Sequence, residues 1–204
     1  MVVSGMKLYK YKNYAEYVNS QISANKRKKN NVWAKEENIK AIAKYISKIR
    51  ILEKGLCHGV RQGWEIGWFE KYLQCEMFGT EIGEVISPNT IQWDFNRENQ
   101  NLIGKFDFIY SNSFDHAFVP ELTIKIWAEQ LKPNGLIILE YDKRQEHTGE
   151  ISKGVNKTDP VSIRFSELQK LMLEWLPTLK ILKILNMPVV TQEWRKAIIF
   201  EKCI

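Results

Sequence analysis

The sequence predicts an α/β domain built on a doubly wound, mostly parallel sheet. Three observations predict it. From about residue 49 onward, segments of strand character alternate with amphipathic helical segments, as in a parallel sheet with right-handed crossovers and helices on both faces. One segment, 136–141, is apolar on both faces, which suits a strand in the middle of such a sheet. Glycines, carboxylates and small polar residues gather just past the ends of the strand segments, where ligands of these sheets sit.

In chain order, residues 1–48 read as a helical appendage and 49–204 as the domain. Tyr14, Tyr17 and Val18 share helical spacing. Ile39, Ile42, Ala43 and Ile46 follow the i, i+3, i+4, i+7 pattern of one buried helix face. The first domain strand is predicted at 51–57, followed by a loop at 59–63 and a helix at 64–73 with Ile66, Phe69 and Leu73 inward. Strands are predicted at 77–82, 90–93 and 106–111. Pro120 opens the next helix, where a missing N–H costs nothing, with Ile124, Trp127, Ala128 and Leu131 on its apolar face. Lys132-Pro133-Asn134-Gly135 predicts a turn before strand 136–141. Residues 143–162 predict a long polar loop, a length that is often functional. Ser166 with Gln169 predicts a capping box for a helix carrying Leu168, Leu171, Met172 and Trp175. Strands at 179–185 and 194–202 close the chain as an antiparallel pair.

Composition narrows the class. At 204 residues with 44% hydrophobic content, the chain can bury one domain core. It holds no apolar run long enough to cross a membrane (about 18 residues), and its first residues lack the apolar centre of a signal peptide. Cys57, Cys75 and Cys203 are too scattered for a disulfide framework or zinc cluster, which points to the cytoplasm. No compact acidic cluster along the chain demands a metal. The net charge of +6 comes from lysines spread along the sequence, with one dense run, Lys26-Arg27-Lys28-Lys29. That run either lies on a solvated face or contacts a phosphate-bearing partner. Seven tryptophans are many for this length, and some are candidates for an interface. The oligomeric state is not legible.

The strand ends carry the chemistry. After the first comes Gly55-Leu56-Cys57-His58-Gly59, with Gly63 beyond; glycine lets backbone turn sharply and approach a ligand. The spacing is not the G-x-G-x-x-G of dinucleotide enzymes. After the second comes Glu81, which lies 22 residues past Gly59 and is placed to accept from ribose hydroxyls. After the third comes Trp93-Asp94-Phe95, where Asp94 can accept from an exocyclic amine and Phe95 can stack on a base or serve as core. After the fourth comes Ser111-Asn112-Ser113-Phe114-Asp115-His116, which places an imidazole within a small polar run.

This ordered set resembles the class I S-adenosylmethionine-dependent methyltransferases over roughly residues 45–142. Leu131-Lys132-Pro133-Asn134-Gly135 is similar to the family's L-K-P-G-G turn, with asparagine replacing one glycine. Cys57-His58 stands where the family has its middle glycine. The resemblance implies a seven-stranded Rossmann-like sheet with an antiparallel last strand and S-adenosylmethionine as cofactor, leaving S-adenosylhomocysteine as product. It implies that Gly55, Cys57, His58 and Gly59 contact the methionine portion, Glu81 the ribose, Asp94 and Phe95 the adenine, and that Ser111 and Asn112 flank the sulfonium. The 111–116 stretch looks like small bacterial methyltransferases that modify surface glycans or small metabolites. The Asn/Asp-Pro-Pro-aromatic motif of amino-directed nucleic-acid methyltransferases is absent.

The expected reaction is therefore O-methylation of a sugar, glycan or other small metabolite. His116 is first choice as base, and Asp115 is its orienting partner or the alternative. His58 is expected to shape the cofactor loop, and His147 could face the acceptor. Two further readings stay open: an RNA-modifying methyltransferase using the 26–29 run, and a non-catalytic S-adenosylmethionine-binding subunit.

Overall fold

The structure is a computed structural model and describes residues 2–3, 6–9, 11–146, 159–190 and 193–203. The chain opens with short strands β1 (Val2–Val3) and β2 (Met6–Leu8), then helices α1 (Tyr14–Arg27) and α2 (Glu36–Ile49). Strand β3 (Lys54–His58), helix α3 (Trp64–Leu73), strands β4 (Glu76–Glu81), β5 (Thr90–Gln92) and β6 (Phe106–Ser111), helix α4 (Pro120–Gln130) and strand β7 (Leu131–Asp142) follow. The chain closes with β8 (Val161–Ile163), α5 (Phe165–Trp175), β9 (Leu179–Asn186) and β10 (Arg195–Lys202).

Seven strands form one sheet in the order β5-β4-β3-β6-β7-β10-β9. The first five are mutually parallel, and β10 runs antiparallel to both β7 and β9. The predicted fold class therefore stands. From β3 the chain winds outward to β4 and β5, then returns to β6 on the other side of β3. The connections leave in opposite directions beyond the β3 and β6 carboxyl ends, which is the switch point where ligands of such sheets bind.

Strand periodicity sorts the core into two layers. Leu56, Ile109, Ile137, Leu139, Ile198 and Phe200 face one side, packing with Trp127 of α4 and Leu168, Leu171 and Met172 of α5. Cys57, Phe108, Tyr110, Ile138 and Ile199 face the other, packing with Ile39, Ile42 and Ile46 of α2 and Ile66 and Phe69 of α3. At about 25 cal/mol per Å² of buried apolar surface, such layers supply the main drive to fold.

Several local expectations change. The first sheet strand begins at Lys54, because Ile51 is 90% exposed and the Glu53 and Lys54 amides donate to the Asp107 carboxylate, each at 2.8 Å. The Lys132–Gly135 turn lies within β7, as an irregularity in its pairing with β6, and Asn134 adopts φ +58° there. Leu131, expected on the α4 face, is the first residue of β7.

The Ser166–Gln169 capping box does not form. The α5 N-cap is Arg164, and the Gln169 amide donates to the Phe165 carbonyl at 3.1 Å. The Phe165 amide is instead satisfied by the Glu146 carboxylate at 2.8 Å. Within the predicted 143–162 loop, the described residues include a 3-10 turn, Lys143–Gln145, and strand β8. That strand pairs antiparallel with β2 in a second, small sheet of order β1-β2-β8. His147 lies outside the described residues.

Candidate functional site

The carboxyl end of β3 is shaped by the glycine that follows it. Gly59 adopts φ +73°, the left-handed region, and its amide donates to the Thr80 carbonyl at 2.9 Å. A Cβ at Gly59 would press on Ser113 of the β6 end at 2.9 Å, so glycine lets the two loops close together. Gly59, Val60, Arg61, Gln62, Glu65, Asn112 and Ser113 line a small pocket there, and residues 31–34 cover it.

Four other residues carried over by resemblance point elsewhere. Gly55 lies mid-strand, where a Cβ would collide with the Phe108 ring and the Met77 sulfur, so its smallness serves packing. Cys57 is fully buried against the α2–α3 layer, and burial pushes its thiol well above the ordinary value. His58 turns into the opposite layer and stacks on Trp127 at 4.6 Å. Its Nε2 meets the Gln130 carbonyl oxygen and its Nδ1 the Thr80 hydroxyl, each at 2.8 Å. Nε2 therefore carries the hydrogen, and burial pushes the imidazole down to about 3. Phe95 is only 7% exposed and packs edge-on to Trp127 at 5.3 Å. None of these four residues lines the pocket. Strand alternation buries consecutive residues on opposite faces, and this had no local signal.

Ser111 is also inward. Its hydroxyl donates to the His58 carbonyl and accepts from the Ser113 amide, each at 3.0 Å, which ties the β3 and β6 ends together. Asn112 is half-buried at the pocket, where its Oδ1 accepts from the Ser113 hydroxyl at 3.0 Å.

The two carboxylates end neighbouring strands. Glu81 is 5% exposed, and its oxygens accept from the Arg61 amide at 2.7 Å and the Gly83 amide at 2.9 Å. A carboxylate has about four lone-pair sites, so each oxygen keeps room for a hydroxyl. Asp94 Oδ1 accepts from the Asn96 amide and side chain, and Oδ2 from the Tyr14 hydroxyl at 2.5 Å. Beside Asp94 an open pocket of about 410 Å³ is lined by Tyr14, Ile82, Gln92, Trp93 and Arg97 among others. The backbones of Glu81 and Trp93 are joined by a 2.9 Å hydrogen bond.

Helix α1 lies across these ends. Asn13 caps it, accepting from the Glu16 amide at 2.9 Å. Along its length Tyr14 meets Asp94, Tyr17 donates to the His116 carbonyl at 3.0 Å, Gln21 meets His116 at 2.8 Å, and Asn25 packs on Gly83. Beyond it, the carbonyls of Lys29 and Asn31 accept from Gln62 and Arg61. The exposed basic run thus sits beside the glycine loop. The sequence marked α1 as amphipathic but gave no sign that its polar face covers the strand ends.

Other residues near the site went unread. Glu65, in the first turn of α3, lines the small pocket at 5% exposure, and burial pushes its carboxyl up to about 8. Under the covering segment, Arg195 pairs with Glu140 and Asp142, each at 3.0 Å, and donates to the Trp33 carbonyl at 2.9 Å. Tyr110 and Asn38 complete the Glu140 shell at 2.6 and 3.1 Å. These long-range pairs hold residues 31–34 in place.

Past β6, Asp115 and His116 form a 3-10 turn. His116 Nε2 lies 3.9 Å from Asp115, and its Nδ1 lies 2.8 Å from Gln21 Oε1 and 3.6 Å from Asp159. Asp159, unread in the sequence, is brought in by the β8 pairing. Burial raises the Asp115 carboxyl above its usual range.

No protein-family model and no curated protein matches the chain. Solved structures do. The 1,6-didemethyltoxoflavin-N1-methyltransferase of Burkholderia thailandensis, solved with 1,6-didemethyltoxoflavin and S-adenosylhomocysteine, superposes with a TM-score of 0.71 at 13% identity, over 98% of this chain and 95% of that one. A chain of the complex between the Haloferax volcanii Trm112 methyltransferase activator and a methyltransferase gives 0.64 at 13%, over 93% and 98%. An S-adenosylmethionine-dependent methyltransferase from Aquifex aeolicus gives 0.61 at 12%, over 88% and 97%. The fold is that of the class I S-adenosylmethionine-dependent methyltransferases.

Proposed function

From this fold we propose that the chain is an S-adenosylmethionine-dependent methyltransferase whose acceptor is an oxygen of a sugar, glycan or other small metabolite. The observation that carries the reading is the succession at the switch point: the Gly59 turn against Asn112 and Ser113, Glu81 on the next strand end and Asp94 on the one after. That succession matches the parts of one nucleoside carrying an amino-acid tail. The methionine end would lie in the pocket of Gly59, Arg61, Glu65 and Asn112, with the ammonium toward Glu65 and the carboxylate toward Arg61. Glu81 would take the ribose hydroxyls. Asp94 would accept from the adenine amine, with Ile82 and Trp93, rather than Phe95, against the base. Helix α1 would close over the adenosyl group and exclude water.

The cofactor supplies an electrophilic methyl, and the protein supplies orientation. Gly59, Glu81 and Asp94 would hold the cofactor so that its methyl is open to in-line displacement by an acceptor oxygen, with the thioether as leaving group. Holding the reacting atoms ~3–3.5 Å apart accounts for much of the acceleration. The acceptor's proton goes to the Asp115–His116 pair. Tyr11, whose hydroxyl accepts from Gln21, and Phe118, 6.5 Å from the Tyr11 ring, are half-buried and would offer aromatic contacts to an acceptor of sugar size. No described helix is long and apolar enough to cross a membrane. The three free cysteines fit a reducing cytoplasm.

Calorimetry with S-adenosylhomocysteine tests the reading. Glu81→Ala and Asp94→Ala should each weaken binding at least tenfold, and unchanged affinity in both removes the site. An acceptor screen with labelled cofactor then separates small metabolites from RNA. Salt-dependent RNA retention lost on replacing residues 26–29 would favour the RNA reading. Cofactor binding with no transfer to any acceptor would favour a non-catalytic subunit.

A further inference from the structure

We propose that Asp115, His116 and Asp159 form a divalent-cation site at the acceptor side of the crevice. The three side chains offer ligand atoms that all lie within 4.8 Å of one another. Small side-chain rotations close that gap, because opposed ligands on a cation with bonds of about 2.1 Å lie about 4.2 Å apart.

The second observation is unmet polarity. The Asp159 side chain is 5% exposed, and its Oδ2 has no hydrogen-bond partner; Asp115 Oδ1 is equally orphaned. An unpartnered buried carboxylate oxygen is costly. Asp115 is braced on its other side by Gln145, whose own oxygen is committed to the Asp142 amide. Among the described residues, no lysine or arginine pairs with either carboxylate; His116 alone faces both. The tautomer fits ligation too. With Nδ1–H donated to Gln21 Oε1, the Nε2 lone pair is left toward the orphaned Asp115 oxygen, 3.9 Å away. Two lone pairs facing each other ask for a cation between them. A ligating histidine typically gives its other N–H to such an oxygen acceptor.

One imidazole and two carboxylates suit a cation of the Mn²⁺ or Mg²⁺ type. With the cation bound, Asp115 and His116 act as its ligands instead of as the proton acceptor: a hydroxyl placed on the cation is acidified, and its proton leaves to solvent. The inference rests on the methyltransferase reading for this role, but not for the site's existence.

Electron paramagnetic resonance of added Mn²⁺ tests it on the full chain. The expected result is loss of the free-ion signal up to one equivalent per chain, with competition by Mg²⁺. Asp159→Asn and Asp115→Asn should each weaken binding at least tenfold, and Gln21→Ala ~10-fold through the imidazole it orients. Wild-type protein that leaves the signal unchanged at equal concentrations overturns the site, and so does binding retained in both carboxylate variants. S-adenosylhomocysteine calorimetry on the same preparation keeps the two claims apart: cofactor binding without Mn²⁺ binding refutes the cation site alone.

Discussion

Glu65→Gln should stabilise the protein at alkaline pH and leave it unchanged in acid. The unfolded carboxyl titrates near its ordinary value of 4.5, whereas burial beside the glycine loop raises the folded one to about 8. Between these values the folded state holds a proton that the unfolded state has lost. Stability therefore falls with rising pH across that window, by about 1.4 kcal/mol per unit. The full span corresponds to roughly 5 kcal/mol, and relaxation around the ionised group reduces the realised figure to roughly 3–5 kcal/mol. Glutamine keeps the shape and removes the titration. Urea melts at pH 4.5 and pH 9 should show a gap between variant and wild type that is absent at the first and several kcal/mol at the second. A gap independent of pH, or a glutamine variant weaker at pH 9, would refute the reasoning. If the pocket takes the cofactor's ammonium, ligand binding near pH 7 should also release a proton from Glu65, seen as a buffer-dependent calorimetric heat.

Three further outcomes follow from the packing. The His58 ring resonances should stay fixed from pH 8 to pH 5 in an NMR titration, since burial holds the ring neutral down to about 3; stability should drop as pH falls below 6.5, where the unfolded ring gains its proton first. Arg195→Ala should cost about 3–5 kcal/mol in denaturant melts, because it strips from buried Glu140 the one cation that pairs with it among the described residues. Gly55→Ala should cost about 1–3 kcal/mol by overpacking Phe108 and Met77, with S-adenosylhomocysteine affinity changed less than twofold if Gly55 is purely structural.

Helix periodicity was legible where one face is buried: α2 and α4 follow from i, i+3, i+4 apolar positions, whereas central strands such as β7 were legible as short apolar runs between turns. The β2–β8 pairing was not, because a three-residue strand carries no period and its partner lies far along the chain. The same separation hid Asp159 from Asp115 and His116, and Arg195 from Glu140. Gly59, Glu81 and Asp94 could be located because each terminates a recognisable strand. Side-chain direction at Cys57, His58 and Phe95 depends on which sheet face receives each residue. In a strand buried on both faces, hydrophobicity does not mark that choice.

A crystal structure of the S-adenosylhomocysteine complex tests the central claim most directly. The account predicts ribose hydroxyls on Glu81, the adenine amine on Asp94 beneath α1, and the amino-acid tail against Gly59 and Glu65. Ligand density bound away from the β3–β6 switch point, with Glu81 and Asp94 both untouched, would contradict it.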